Sequence, residues 1–227
     1  MSAAVVNSSS GAASVAEAIQ SHGWWLASRA SGLVALVLVT LSVGLGLAMA
    51  GKVMRRPGLS KKLLAIHEQT ALAGLVAIAV HGIALLGDPW LHPGVVGVTV
   101  PFAMSFKTAF TGLGVIGGYL AALLGLSYYV RRRVGAKLWR KAHRATVLVW
   151  LLGLVHAIGA GSDASAVWFR WWVMLTTPVI GGLFVYRVLS ARAKKQARAA
   201  APRQRPQRAL PADRGRQVPG TPVFEEA

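Results

Sequence analysis

The feature that most constrains this chain is a set of five long apolar segments separated by short polar connections. Each segment is close to or longer than the ~20 apolar residues that a helix needs to cross a bilayer core. The chain is 54% apolar and has a mean hydropathy of +0.51, which is typical of membrane proteins. We therefore predict an all-α integral membrane bundle of five transmembrane helices. The segments cover about residues 24–50, 63–87, 106–130, 139–160 and 168–189.

The basic residues are placed so unevenly that they predict the orientation of these helices. There are 25 Lys and Arg residues against 7 Asp and Glu residues. Three basic clusters, at 52–62, at 131–144 and from Arg187 onward, contain all but three of the cations. The positive-inside rule places these clusters in the cytoplasm, with the N-terminus outside and the C-terminus inside. We expect a multi-pass protein of a bacterial cytoplasmic membrane, with lipid as a partner and no nucleic acid.

The chain divides into three predicted regions. Residues 1–23 are small and polar and lack the basic start of a signal peptide, so we interpret them as an uncleaved, mobile N-terminal segment. Residues 24–190 form the five-helix transmembrane domain. Residues 191–227 have few large apolar side chains and are predicted to be a disordered basic tail near anionic lipid. The long connection after the second segment is rich in Pro and Gly and is expected to lie along the surface.

The second apolar segment, Ile66–Ile83, carries a histidine near each end. A histidine within a lipid-spanning helix is costly and usually functional. His67 and His81 are 14 residues apart, so an ideal helix places them within about 40° of one face and ~21 Å apart along its axis. Gly74 lies midway on the same face, where a small residue admits either a wide macrocycle or a neighbouring helix.

The fourth segment, Ala142–Ile158, also carries two histidines, His143 and His156. Their spacing is 13 residues, and an ideal helix would set them about 140° apart. If both histidines serve sites on one face, the helix must be irregular. A π-bulge, a kink or a loosened helix start at His143 would each supply the rotation.

Two histidines on each of two spans suggest four axial ligands for two haems. The second and fourth spans run parallel, so His67 and His143 would bind the inner haem iron, and His81 and His156 the outer one. Two neutral imidazoles leave no open position on an iron, which suits electron transfer. A single zinc ion cannot bridge ligands ~20 Å apart. The absence of cysteine excludes iron–sulfur clusters and covalently attached haem.

Other polar residues are expected at the outer end of the bundle. Arg29 lies about one turn inside the outer boundary, where it is either a snorkelling side chain or a cation for an outer haem propionate. Asp163 and Lys107 lie at the same level and are candidates for propionate or substrate contacts. His22 and His92 lie off the two histidine-bearing helices and are expected to be exposed.

The chain resembles the ferric reductase-like transmembrane family over about residues 24–189. The resemblance is carried by WLASRASGL at 25–33, WRKAH at 139–143 and LVHAIGAGSD at 154–163, together with the histidine spacings of 14 and 13 on alternate helices. It implies two b-type haems that carry electrons from the inner to the outer side of the membrane, with Arg29 near the outer haem.

The sequence departs from the full enzymes of this family, which often carry a flavin- and nicotinamide-binding domain after the last span. Only a short basic tail without a G-x-G-x-x-G motif follows here. We therefore expect an oxidoreductase component that receives its electrons from a separate flavoprotein or quinol, with flavin bound only by that partner. An acceptor or redox partner is expected at the outer face. Two alternatives stay open. One is a ferric-chelate reductase using Arg29, Lys107 and the loop Leu91–Phe106. The other is a haem-free transporter or scaffold.

Overall fold

A computed structural model describes residues 8–51, 53 and 58–200, with side chains described from residue 22 onward. Within these ranges all the regular structure is helical. The helices are α1 (Ser8–Gly51), α2 (Leu59–Leu86), α3 (Gly94–Thr99), α4 (Thr108–Val134), α5 (Ala136–Ala142), α6 (Thr146–Ala160) and α7 (Val167–Ala200). A 3-10 turn, His143–Ala145, joins α5 to α6.

Five helical stretches in the described ranges are long and apolar enough to cross a membrane, which confirms the predicted all-α class and the number of spans. Four of them belong to α1, α2, α4 and α7, and the fifth combines α5 and α6 over Ala136–Ala160. Large apolar side chains cover the outside of the helices; Ile83, Leu123 and Met174 are 62%, 67% and 66% exposed. Such surfaces suit lipid contact, and the protein is a multi-pass membrane protein.

The two ends of the chain differ from the sequence prediction. The described chain divides into two units, with the boundary between Ser190 and Ala191. Helix α1 begins at Ser8, so residues 8–23 are helical although we predicted a mobile segment there. Helix α7 continues to Ala200, into the predicted disordered tail, because Ala, Arg, Lys and Gln are all strong helix formers. Residues 1–7 and 201–227 of these two regions lie outside the described residues.

Helices α1 and α2 form the most extensive helix pair, and α4 with α6 forms the next. A core of buried side chains connects three helices: Val43 and Leu47 of α1, Trp150 and Leu154 of α6, and Ile180 of α7. Lipid supplies no hydrophobic driving force between helices, so close packing and hydrogen bonds hold them together. One buried hydrogen bond runs from Trp150 Nε1 to Thr40 Oγ1 over 3.1 Å.

Gly74 permits a close approach between α2 and α1. A Cβ atom at this position would lie 3.5 Å from the side chains of Leu38 and Val39 on α1. Of the two roles considered for Gly74 from the sequence, the structure shows helix packing. The glycine thereby fixes α1 against the same face of α2 that carries His67 and His81.

The fourth span is irregular at its start. Gly135 adopts a positive φ of 89° between α4 and α5, and the 3-10 turn follows α5 directly. Each 3-10 step turns by about 120° rather than about 100°, so three such steps cut the offset between His143 and His156 from about 140° to about 80°. The structure therefore shows a loosened helix start, one of the three irregularities predicted from the 13-residue spacing.

Candidate functional site

The histidines of α2 face those of the fourth span in two separate pairs. In the first, the 67/143 pair, the ring centroids of His67 and His143 are 6.1 Å apart and the ring planes are at 90°. In the second, the 81/156 pair, the centroids of His81 and His156 are 6.2 Å apart at 73°. These are the two pairs that the parallel arrangement of the helices predicted.

The spacing within each pair fits a metal ion held between two imidazoles. A metal–imidazole bond of about 2.0 Å and a ring radius of about 1.1 Å place two trans rings about 6.2 Å apart. A haem supplies four equatorial nitrogens of its own and takes two axial ligands from the protein. Among the described residues no group of three or more His, Asp or Glu side chains could hold a metal ion. Two facing imidazoles suit axial ligation of haem better than they suit zinc, which takes three or four protein ligands.

Two of the four histidines are oriented by α1. The Nδ1 atoms of His67 and His81 lie 2.8 Å from the backbone carbonyls of Ser42 and Ser28, respectively. A carbonyl only accepts hydrogen bonds, so each Nδ1 carries the proton and each Nε2 keeps a lone pair for a metal. The hydroxyls of the same two serines lie 3.1 Å from the same Nδ1 atoms.

His156 is oriented in the same way, but by α4. Its Nδ1 donates to the backbone carbonyl of Phe110 over 2.9 Å. A helical carbonyl that already accepts from the N–H four residues later has a second lone pair for such a bond. Outer partners of this kind fix the orientation of a metal-binding imidazole and raise its basicity.

A glycine follows each of these three carbonyls by four residues. A Cβ on Gly32 or Gly114 would lie 3.0 or 2.5 Å from Nδ1 of His81 or His156, and one on Gly46 would lie 3.3 Å from Cε1 of His67. Contacts this short are rare or absent for real Cβ atoms, so the missing side chain makes room for the imidazole. We call each accepting carbonyl with its glycine a carbonyl–glycine cradle: Ser28 with Gly32, Ser42 with Gly46, and Phe110 with Gly114.

His143 differs from the other three. Its Nδ1 is buried and has no hydrogen-bond partner among the described residues. The ring instead stacks on Trp139, with centroids 4.8 Å apart and planes at 23°. Trp139 lies one helical turn before His143 on the same face, which brings the two rings together.

Arg29 pairs with Asp163, and both were selected from the sequence as candidates at one end of the bundle. The guanidinium Nε donates to Asp163 Oδ2 over 2.7 Å, and a second nitrogen contacts Oδ1, so the pair is bidentate. The Asp163 side chain is only 7% exposed, whereas that of Arg29 is 37% exposed. Since Arg29 directly follows Ser28, the ion pair ties the cradle of His81 to the connection between α6 and α7.

The remaining predicted residues do not join the histidine pairs. The ammonium of Lys107 lies 5.4 Å from the Phe106 ring centroid and its side chain is exposed. His92 lies in the loop before α3, and the side chains of His22 and His92 are exposed, as expected.

Comparisons with known proteins give no further indication of family. No protein-family model matches the chain, and neither curated proteins nor solved structures give a match. The resemblance to the ferric reductase-like family therefore stays an interpretation of the motifs, and the functional argument depends on the geometry of the two pairs.

The cradles were missed from the sequence, although a signal for two of them is present. Ser28 and Gly32 form an S-x-x-x-G pattern that recurs at Ser42 and Gly46, 14 residues later. This spacing equals that of His67 and His81 on the antiparallel partner helix. The third cradle, Phe110 with Gly114, shares only the glycine, and no residue pattern marks a phenylalanine carbonyl as an acceptor.

Proposed function

We propose that this protein is a di-haem b electron-transfer subunit that moves electrons across a bacterial cytoplasmic membrane. The observation that carries the proposal is the presence of two pairs of facing imidazoles, with ring centroids 6.1 and 6.2 Å apart. Three of the four Nδ1 atoms are hydrogen-bonded to backbone carbonyls. When bound, each haem would supply reversible one-electron chemistry between ferric and ferrous iron. The chain's own contribution is to hold His67, His81 and His156 in one tautomer through their carbonyl partners and to position the His143 ring against Trp139.

The direction of transfer follows from the proposed orientation, with the N-terminus outside. The 67/143 pair then lies near the cytoplasmic face and receives electrons from a separate flavoprotein or quinol. The 81/156 pair lies near the outer face and passes them to an acceptor or redox partner there. A helical distance of ~21 Å between the pairs supports sites in opposite leaflets of a core ~30 Å thick.

The two alternatives receive less support from the described side chains. A ferric-chelate reductase would need cations turned to an outer pocket, but Arg29 is bonded to Asp163 and Lys107 lies against Phe106. A haem-free transporter would use its histidines for proton relay or packing. In His67, His81 and His156 the Nδ1 proton is instead donated to a backbone carbonyl, so the Nε2 lone pair is free to bind a metal.

The test is the haem content and spectrum of protein purified in detergent from cells supplied with haem. We expect about two b-type haems per chain and a low-spin spectrum of bis-histidine type. A folded, colourless preparation would overturn the proposal. Steady ferric-chelate reduction by the purified chain, driven by a quinol and needing no second protein, would instead favour the reductase.

A further inference from the structure

The stack on His143 continues beyond Trp139 towards the end of the bundle that carries the 67/143 pair. The Tyr128 ring lies edge-on to Trp139, with centroids 6.1 Å apart at 61°. Tyr128 of α4, Trp139 of α5 and His143 thus form a continuous series of aromatic rings that ends at the 67/143 pair. Both outer members, Tyr128 and Trp139, are partly exposed.

Polar contacts hold these rings in fixed orientations. Trp139 Nε1 donates to Ser127 Oγ over 3.1 Å, and the Tyr128 hydroxyl donates to Glu68 Oε1 over 2.9 Å. The guanidinium of Arg131 lies 3.7 Å from the centroid of the Tyr128 ring. A cation–π contact and two anchored ring edges restrict the side chains more than lipid contact alone would require.

Exposed basic residues lie close to Tyr128 and Trp139 along the chain, and such a charged region would attract an anionic electron donor. Exposed members of this group lie on α4, α5 and the residues next to them: Arg132, Arg133, Lys137, Arg140, Lys141 and Arg144. A planar aromatic donor that carries a phosphate, such as a reduced flavin nucleotide, matches both the ring surface and the charge.

We propose that Tyr128 and Trp139 form the route by which electrons reach the 67/143 pair. This inference rests on the proposed function. One electron from the reduced flavin would pass through the indole without residing on it, and a haem held by His67 and His143 would take it up as its iron changes from ferric to ferrous. The second electron follows in an equal step, and the two flavin protons go to water.

The test compares Trp139→Leu, which removes the ring, with Trp139→Phe, which keeps an aromatic surface. Trp90→Leu is a matched control, because Trp90 is an exposed tryptophan that also packs on an aromatic ring, that of Phe106, but lies in the connection after α2. Reduced flavin mononucleotide is mixed with each oxidised protein, and haem reduction is followed by stopped flow. The ferric electron paramagnetic resonance spectrum and the midpoint potentials are recorded on the same samples.

We expect Trp139→Leu to slow haem reduction roughly tenfold, which corresponds to about 1.4 kcal/mol in the apparent barrier. Trp139→Phe, which keeps a ring against His143, should be slowed less, with the spectrum and midpoint potentials unchanged. Trp90→Leu should match the wild type in rate, spectrum and potentials. A wild-type rate in Trp139→Leu would overturn the proposal, and so would loss of the haem at the 67/143 pair in both Trp139 variants. Both results would leave the proposed function standing. That function is contradicted only if the wild-type protein binds no haem.

Discussion

The two histidine pairs have the same spacing but are supported differently. In the 81/156 pair both imidazoles are held by carbonyl–glycine cradles, one on α1 and one on α4. In the 67/143 pair only His67 has such a support, and His143 stacks on Trp139 from a 3-10 turn. Both pairs therefore have the ring spacing that two axial ligands need. They differ in how rigidly each imidazole is held and in how strongly its partner raises its basicity.

The difference matters for how each pair would respond to its surroundings. A carbonyl-bound imidazole has one tautomer and a fixed ring angle, so the 81/156 pair is built as a rigid site. The ring of His143 is positioned by an aromatic surface, which constrains the plane of the ring but not its tautomer. The 67/143 pair is therefore the more adjustable one, and it lies where the aromatic stack and the basic cluster meet.

Removing one ligand from each pair is expected to have the largest effect. Under the proposed function, His156→Ala and His143→Ala should each lower the haem content from about two to about one per chain, because each proposed haem site uses its own two imidazoles. The pyridine haemochromogen assay on purified protein measures this ratio. Loss of both haems from either single variant would show that the pairs are not independent, and the comparison between them would not hold.

Filling the tightest cradle should disturb the 81/156 pair selectively. In Gly114→Ala the new Cβ would lie 2.5 Å from His156 Nδ1, so the ring must shift at an overpacking cost of about 1–3 kcal/mol. We expect the haem of this pair to be lost or its spectrum changed, while that of the 67/143 pair is retained. Gly118→Ala is the control, since its Cβ would meet Ile78 at an ordinary 3.6 Å. Equal behaviour of the two variants would contradict a cradle role for Gly114.

Filling either of the two cradles on α1 should weaken haem binding less than filling the Gly114 cradle, and by different amounts. A Cβ on Gly32 approaches His81 to 3.0 Å, and one on Gly46 approaches His67 to 3.3 Å. Gly32→Ala is therefore expected to weaken haem binding at its pair more than Gly46→Ala does, as measured by haem retention during chelation by apomyoglobin. Gly74→Ala, with contacts at 3.5 Å, should retain haem like the wild type. The reverse order would show that helix adjustment, and not ring contact, determines the result.

Breaking the Arg29–Asp163 ion pair should have the smallest effect of these substitutions. It should change the midpoint potential of one haem and leave that of the other unaltered. Asp163→Asn removes a nearly buried negative charge close to the cradle of His81. Because ferric haem is the more positive form, loss of this charge should raise the midpoint potential of the 81/156 haem, on the order of 50 mV. The 67/143 haem should be unaffected in the same spectroelectrochemical titration. An equal shift in both haems would point to a general change in the fold.

The sequence was sufficient to predict the membrane-spanning helices, because the length and hydropathy of each segment can be determined without knowing its neighbours in the fold. The five spans could be predicted from length and hydropathy. The 13-residue spacing predicted an irregularity in the fourth span, and the loosened start at His143 was one of three possible forms of it. The cradles could not be found in full, because they depend on which carbonyl of α1 or α4 faces each ring. The stack of Tyr128 on Trp139 likewise depends on the turn at Gly135, where a positive φ redirects α5 across the end of α4. The helical segment up to Ala200 was missed because composition alone was taken to indicate disorder.

The shared 14-residue register of α1 and α2 limits how this protein can change in length. Inserting one residue between Gly32 and Ser42 would turn one cradle by about 100° relative to the other, so at most one histidine of α2 could keep its carbonyl. Both contacts would be kept only if α1 and α2 each gained close to a whole helical turn, with the insertion in α2 between His67 and His81. The stretches between the two pairs on α1 and α2 are therefore expected to lengthen or shorten only together, and in steps close to whole helical turns.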